Sequence, residues 1–256
     1  MIDRYINNKI NAIWNDQNRF DTWKLIQEKY VETLEELKIA EAGIAKKIRK
    51  AEISKEEVYK QEKVTNHDLA SFVDILQKKV GEGSNWVHYG LTSSDIVDSA
   101  NSLLIIQSIE IAQELILNLL KELKLKAIKN KDTKIIGRTH GVYAEETFLG
   151  NIFGNWYLEI KRSLDRVERA KVSIAYGKLS GPVGNHTVVT EEMEEITLEK
   201  LGLKPEIFAS QIVSRDRYAE VFTSLSILAS TYERISTNLR SYQRSEISEM
   251  YEPFKD

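Results

Sequence analysis

Cysteine is absent from the 256 residues, which excludes disulfides, thiolate metal ligands and a cysteine nucleophile together and fits a reducing compartment. Proline is nearly absent as well: Pro182, Pro205 and Pro253 all fall in the last third, so the first two thirds can run in long unbroken segments. An excess of either charge is also missing. The 36 basic and 39 acidic side chains leave a net charge of -3, so nothing points toward a phosphate backbone or an anionic lipid surface, and no nucleic acid is expected as a partner. No apolar run approaches the roughly 18 residues needed to span a bilayer. The opening Met1-Ile2-Asp3-Arg4-Tyr5 turns polar within three residues, unlike a secretory signal. These absences lead to the expectation of a soluble, cytoplasmic protein with no membrane segment. What is present is 42% hydrophobic content, enough for a sizeable core in one large domain or two smaller ones.

Apolar residues recur at helical spacing almost throughout. Phe20, Trp23, Ile26, Tyr30, Leu34 and Leu37 make one stripe, predicting a helix over about Asp21 to Ala40. Ser54-Lys55-Glu56-Glu57 fits a capping box opening a short helix. Thr65 or Asn66 is the expected N-cap of the next helix, which carries Leu69, Phe72, Val73, Leu76 and Val80 and closes at Gly81-Glu82-Gly83. Two proline-free segments, Ser94 to Asn130 and Ala144 to Tyr176, read as long helices. Thirty-five residues of helix reach roughly 50 Å, a length that suits a core shared between chains. A third rod is expected from about Arg215 to Met250, with Val221, Leu225, Leu228, Tyr232, Ile235, Leu239 and Tyr242 along it. Gly150 and Gly154 mark a close helix approach, and the glycine-rich stretch 177 to 190 lacks the spacing of a phosphate-binding P-loop. Thr190 starts a helix that Gly202 and Pro205 stop. The best strand candidate is Lys134 to Ile136. The fold class that follows is all-α.

Three places concentrate chemistry. Gly137-Arg138-Thr139-His140-Gly141 lies between two long helices, and its flanking glycines allow positive φ or close backbone approach. Its imidazole suits proton transfer, since histidine titrates near neutrality; a helix connection whose histidine caps a carbonyl is the plain alternative. Thr65-Asn66-His67-Asp68 puts an imidazole beside a helix N-terminus, where an anion is favoured. Thr92-Ser93-Ser94 supplies three hydroxyls before Asp95, more than one cap requires; they either cap the long helix or hold a carboxylate at its free amides.

Taken together, Met1-Ile2-Asp3-Arg4-Tyr5 with Ala12-Ile13-Trp14, Thr65-Asn66-His67-Asp68, Trp86 through Asp95, Gly137 through Gly141, Ser180-Gly181-Pro182-Val183-Gly184, and Gln211 with Arg215-Asp216-Arg217 resemble the adenylosuccinate lyase family of the fumarase/aspartase superfamily. The resemblance runs from end to end. Thr139-His140-Gly141 resembles fumarases and argininosuccinate lyases less, because those usually place leucine after the corresponding histidine.

The resemblance implies a small N-terminal helical domain (1–93) followed by a long helical bundle (94–256) that forms the core of a homotetramer with active sites shared between chains. It implies elimination of fumarate from adenylosuccinate to give AMP, and from the analogous succinyl-carboxamide ribotide, with no metal or organic cofactor. Carried over by position, His140 is the general acid to the leaving nitrogen and His67 a binding or assisting group. Thr92 and Ser93 hold a succinyl carboxylate. Arg4 and Tyr5 contact the nucleotide end, Gln211 hydrogen-bonds substrate, and Asn66 and Asp68 flank His67 in the substrate-binding set. Some relatives carry arginine where Asn66 stands. The chain reaches Tyr251-Glu252-Pro253-Phe254-Lys255-Asp256 before the Gly-Ser-Ser loop that supplies the family's serine base, and before the acidic partner of His140. Little or no lyase activity is therefore expected of these 256 residues alone. Two other readings stand beside it: another fumarate-releasing lyase such as argininosuccinate lyase, and a non-catalytic helical oligomerisation module.

Overall fold

The computed structural model describes residues 3–252. Met1 and Ile2, from the N-terminal motif, and Pro253, Phe254, Lys255 and Asp256, from the chain end, lie outside the described residues. Among those described, nine α-helices and four short strands occur in the order α1 (Asn8–Ile13), α2 (Asp16–Glu36), α3 (Ile44–Lys50), α4 (Lys55–Thr65), α5 (Asp68–Val80), α6 (Ser93–Lys129), β1 (Lys134–Thr139), β2 (Val142–Phe148), α7 (Leu149–Ile174), β3 (Tyr176–Gly177), α8 (Glu191–Lys200), β4 (Lys204–Pro205) and α9 (Asp216–Tyr242). The all-α expectation holds. The chain divides into two compact units: unit one is Met1–Ser108 with Ser173–Asp216, and unit two is Ile109–Val172 with Arg217–Asp256.

Unit one is built on α2. Its stripe of Phe20, Trp23, Ile26, Tyr30 and Leu34 is fully buried, and each such side chain stabilises the fold by about 1.5–3 kcal/mol. Phe20 meets Trp23 edge-on at 5.2 Å and stacks on Phe72 of α5 at 6.1 Å, while Trp23 meets Phe72 edge-on at 5.6 Å. The helix begins at Asp16, five residues before the expected start, because the Asn15 side chain accepts the Asn18 N–H at 2.9 Å. The Ser54–Glu57 capping box forms as read. The N-cap of α5 is His67 instead of Thr65 or Asn66; Asn66 takes φ 53 and closes α4. The short helices α1 and α3 had no sequence expectation. In the glycine-rich stretch, Gly184 has φ +73 and an added Cβ would lie 2.0 Å from the Ala209 carbonyl oxygen, so no other residue fits there.

Unit two holds the later part of α6, the β1–β2 hairpin, α7 and α9. Here the sequence expectation fails. The second long helix starts at Leu149 and not Ala144, because Val142–Phe148 pairs antiparallel with Lys134–Thr139. The turn explains it: Thr139 pairs with Val142 across a two-residue loop, and both loop residues, His140 at φ 56 and Gly141 at φ 79, are left-handed. That is the type I′ geometry whose twist matches paired strands. Gly150 packs tightly, an added Cβ lying 2.6 Å from the Ala127 carbonyl, whereas Gly154 has open space around it. Helix α9 ends at Tyr242, short of the expected Met250, and the following segment turns through Ser248 at φ 48. Arg234 of α9 bonds Glu159 and Asn155 of α7.

One further expectation is corrected in α6. An 18-residue window of it has mean hydropathy 1.6 and at most two charged residues, long and apolar enough by length and composition to cross a membrane. Interspersed serine, asparagine and glutamine hid this from a search for an unbroken run. Just ahead of that window, in unit one, Ser99 Oγ donates to the Lys178 carbonyl at 3.2 Å and Ser102 Oγ to the Tyr176 carbonyl at 2.7 Å.

Phe72 sits where three rings meet, so Phe72→Ala is expected to lower stability by about 3–5 kcal/mol, read by urea denaturation followed through tryptophan fluorescence. A loss under 1 kcal/mol would show that this aromatic cluster does not organise unit one.

Candidate active site

The hydroxyl cluster is positioned by the start of α6. Thr92 stands just before the helix, and its backbone N–H donates to Asp95 Oδ2 at 2.7 Å while the Asp95 N–H returns to the Thr92 carbonyl at 3.1 Å. Asp95 thereby does the work of a capping-box acid, and Thr92 and Ser93 stay partly exposed at the positive end of a 37-residue helix. His67 reaches the same place. Its Nδ1 accepts the Ala70 N–H at 3.4 Å, which puts the ring proton on Nε2, and Nε2 faces Ser93 Oγ at 3.4 Å. Asp68 Oδ1 lies 3.4 Å from the same Nδ1. The N-termini of α5 and α6 thus converge on the His67–Ser93 contact, a setting for an anion.

The other predicted residues, Arg4, Tyr5, Asn66, Gln211 and His140, are exposed. Arg4 and Tyr5 are exposed, with the Arg4 guanidinium 4.9 Å above the Tyr5 ring. Asn66 lines a shallow depression with Tyr59, Glu62 and Lys63. Gln211 is exposed in the irregular segment after β4. His140 belongs to unit two, exposed at the hairpin tip. Its neighbour Arg138 is engaged structurally: the guanidinium donates to both Glu249 carboxylate oxygens, at 2.8 and 3.1 Å, and lies 5.2 Å over the Tyr143 ring. A cavity of about 430 Å³ beside the tip is lined by Arg138, Gly141, Tyr143, Arg244 and Glu246 among others. Among the described residues, no group of three or more His, Asp or Glu side chains is placed to hold a metal ion.

Two features escaped the sequence reading. His88, at φ 64, accepts a hydrogen bond from Gln27 Nε2 on Nδ1 and donates its backbone N–H to Gln27 Oε1, both at 2.9 Å. Burial pushes its imidazole down to about 4, with His67 adding to the effect. Lys178 is wholly buried and donates to Asp95 Oδ1 and to the Gly181 carbonyl, the latter at 2.9 Å. Burial pushes the Asp95 carboxyl up, and Lys178 opposes that shift. The glycine-rich stretch is further tied down by Leu179 N–H donating to Glu194 Oε1 at 2.6 Å and by His186 Nδ1 donating to the Val189 carbonyl at 3.0 Å. Nothing periodic in the sequence marks Lys178; the adjacent Gly177, where an added Cβ would lie 2.7 Å from Ser99 Oγ, was the available sign of close packing.

Comparison with known proteins gives a consistent result. A family described as "Lyase" matches residues 7–255. The chain is 40% identical over its full 256 residues to adenylosuccinate lyase of Thermotoga maritima and 38% identical over 258 aligned residues to that of Aquifex aeolicus. It spans 59% of the length of each of those relatives. In structure it is similar to 3-carboxy-cis,cis-muconate lactonizing enzyme from Pseudomonas putida, with TM-score 0.91, 18% identity, and coverage of 98% of this chain and 59% of that one. A fumarate lyase from Mesorhizobium sp. superposes with TM-score 0.87 at 19% identity, over 94% of this chain and 58% of that one. These two likenesses establish the fold.

His88 yields a pH prediction. Its folded pKa lies below the unfolded value near 6.5, so the unfolded state binds the extra proton between the two values. The stability is present above about pH 6.5 and is lost as pH falls through about 4. On the order of 3 kcal/mol is expected to disappear over that window, and His88→Gln should flatten that part of a plot of denaturation midpoint against pH. An unchanged slope in the variant would assign the acid sensitivity elsewhere.

Proposed function

The chain belongs to the lyase family that matches residues 7–255, and from that premise we propose that its activity is that of an adenylosuccinate lyase, releasing fumarate from adenylosuccinate to leave AMP and acting likewise on the succinyl-carboxamide ribotide of purine biosynthesis. The observation that carries this reading is the match to adenylosuccinate lyases across the whole chain, at 40% identity in one case. The geometry suits it. A succinyl group brings two carboxylates, and the convergence of two helix N-termini at His67 and Ser93 is chemically fitted to receive one of them.

In this reading His140 protonates the departing nitrogen, and its exposed position on a two-residue turn leaves the ring free to approach a ligand. Thr92 and Ser93 grip the carboxylate; His67, with Asn66 and Asp68 beside it, assists. Arg4 and Tyr5 take the nucleotide end and Gln211 hydrogen-bonds the substrate. The reaction uses proton transfer and electrostatic positioning by side chains, with no cofactor. The chain supplies an N-terminal helical domain and a long-helix bundle to a cytoplasmic homotetramer whose active sites draw on several chains. Exposed apolar side chains on the rods, among them Leu115, Leu117, Leu125, Leu158 and Phe222, are suited to cover in such an assembly.

In the full-length protein, His140→Gln is expected to lower kcat for adenylosuccinate by about 10² to 10⁴-fold, the usual worth of a positioned proton donor, with a smaller effect on KM. The decay of ultraviolet absorbance on fumarate release provides the assay. Wild-type turnover of argininosuccinate in preference to adenylosuccinate would overturn the substrate assignment, and no turnover of either would favour a non-catalytic module.

A further inference from the structure

The buried pair behind the first turn of α6 bears on how an anion is received there. Asp95 is the third residue of α6 and has no solvent exposure. Its carboxylate caps the turn through the Thr92 N–H at 2.7 Å. A negative charge so placed opposes the field that the helix N-terminus offers to an incoming carboxylate, and in a poorly solvated interior that opposition is little screened. Lys178 comes from a segment 83 residues away, is equally buried, and binds the other carboxylate oxygen. Its second acceptor is the Gly181 carbonyl at 2.9 Å. An ammonium enclosed in this way does not touch a ligand.

We propose that Lys178 is a positioning residue for carboxylate binding: it neutralises Asp95, so that Asp95 can cap the turn without repelling the anion held at Thr92 and Ser93. This rests on the lyase reading and adds to it a residue that sets affinity for the dicarboxylate half of the substrate. An alternative role for Lys178, mechanical tethering of residues 177–181 through the Gly181 carbonyl, makes a different prediction for a double variant.

The test uses the full-length protein, with fumarate and AMP as separate probes in calorimetry and adenylosuccinate in steady-state kinetics. Lys178→Met is expected to weaken fumarate binding, and raise KM for adenylosuccinate, by about 10- to 100-fold, the scale of one unscreened charge within a few ångströms. AMP affinity should stay within about twofold. Lys178→Met combined with Asp95→Asn removes both charges and should bring fumarate affinity back to within about fivefold of wild type, although the tether to Gly181 is gone. Lys178→Met with undiminished fumarate affinity, equal weakening of fumarate and AMP, or a folded double variant that still fails to bind fumarate would each overturn the proposal. If Lys178→Met alone does not fold, the double variant decides the matter by the same criterion. A wild-type protein that binds neither probe and turns over no adenylosuccinate would remove the lyase reading and this inference together, whereas an active wild type with an unaffected Lys178→Met variant removes only the inference.

Discussion

A lysine ammonium and an aspartate carboxylate held out of water constrain how the polar interior of unit one can be built. Removing each ion from water costs several kcal/mol, and the pair is tolerated only where its remaining hydrogen-bonding capacity is met. Asp95 meets it with the Thr92 N–H and Lys178 with the Gly181 carbonyl, while Ser99 Oγ sits between the Lys178 amide and carbonyl at 3.2 Å to each. The start of α6 and residues 177–181 therefore have to form together. Loss of one partner alone would strand a buried charge, at a cost of about 3–5 kcal/mol. A half-exposed counterpart occurs at Asp98, which accepts both Arg215 guanidinium contacts, at 3.0 and 3.1 Å, and the Val213 N–H at 2.9 Å.

The histidines show a second constraint. Of the four in the chain, His88, His140 and His186 have positive φ, a region that non-glycine residues seldom occupy, though histidine enters it more readily than most. Each has a local cause. His140 occupies the first loop position of a two-residue hairpin; His88 is held by two hydrogen bonds to Gln27; His186 is held by the Val189 carbonyl and lies 3.6 Å from Glu194. His67 alone is extended, at φ -149, and caps a helix. Positive φ alone does not decide which rings are presented: His140 and His67 are exposed, whereas His88 and His186, whose rings bond Gln27 and the Val189 carbonyl, are partly buried.

Much of the fold was legible. The α2 stripe, the Ser54–Glu57 box, the long α6 and the start of α8 at Thr190 all follow from local signals, because helix burial is periodic and capping is short-range. Of the hairpin only the start of β1 was, Lys134 to Ile136 being the expected strand. Its strands are mostly solvent-exposed along β2, so the alternation that marks a half-buried strand is missing, and the His-Gly turn is read as such only once the pairing is known. Helices α1 and α3, of 6 and 7 residues, are too short for periodicity to register. Of the candidate site, the sequence named His67 and Ser93 and the structure brings them to 3.4 Å of each other, while the buried charge pair beneath them has no local sequence signal.

The amino-acid sequence by itself determined the helical periods, the caps at Ser54 and Thr190 and the lyase resemblance, since each is written in residues close together along the chain. Tertiary structure alone decided that Lys178 faces Asp95 across 83 residues and that Arg138 clasps Glu249 across 111. It also decided that the proposed cap acid is an electroneutral pair. Burial and pairing of charge depend on which distant segments share the same enclosed volume, and no local pattern of residues encodes that.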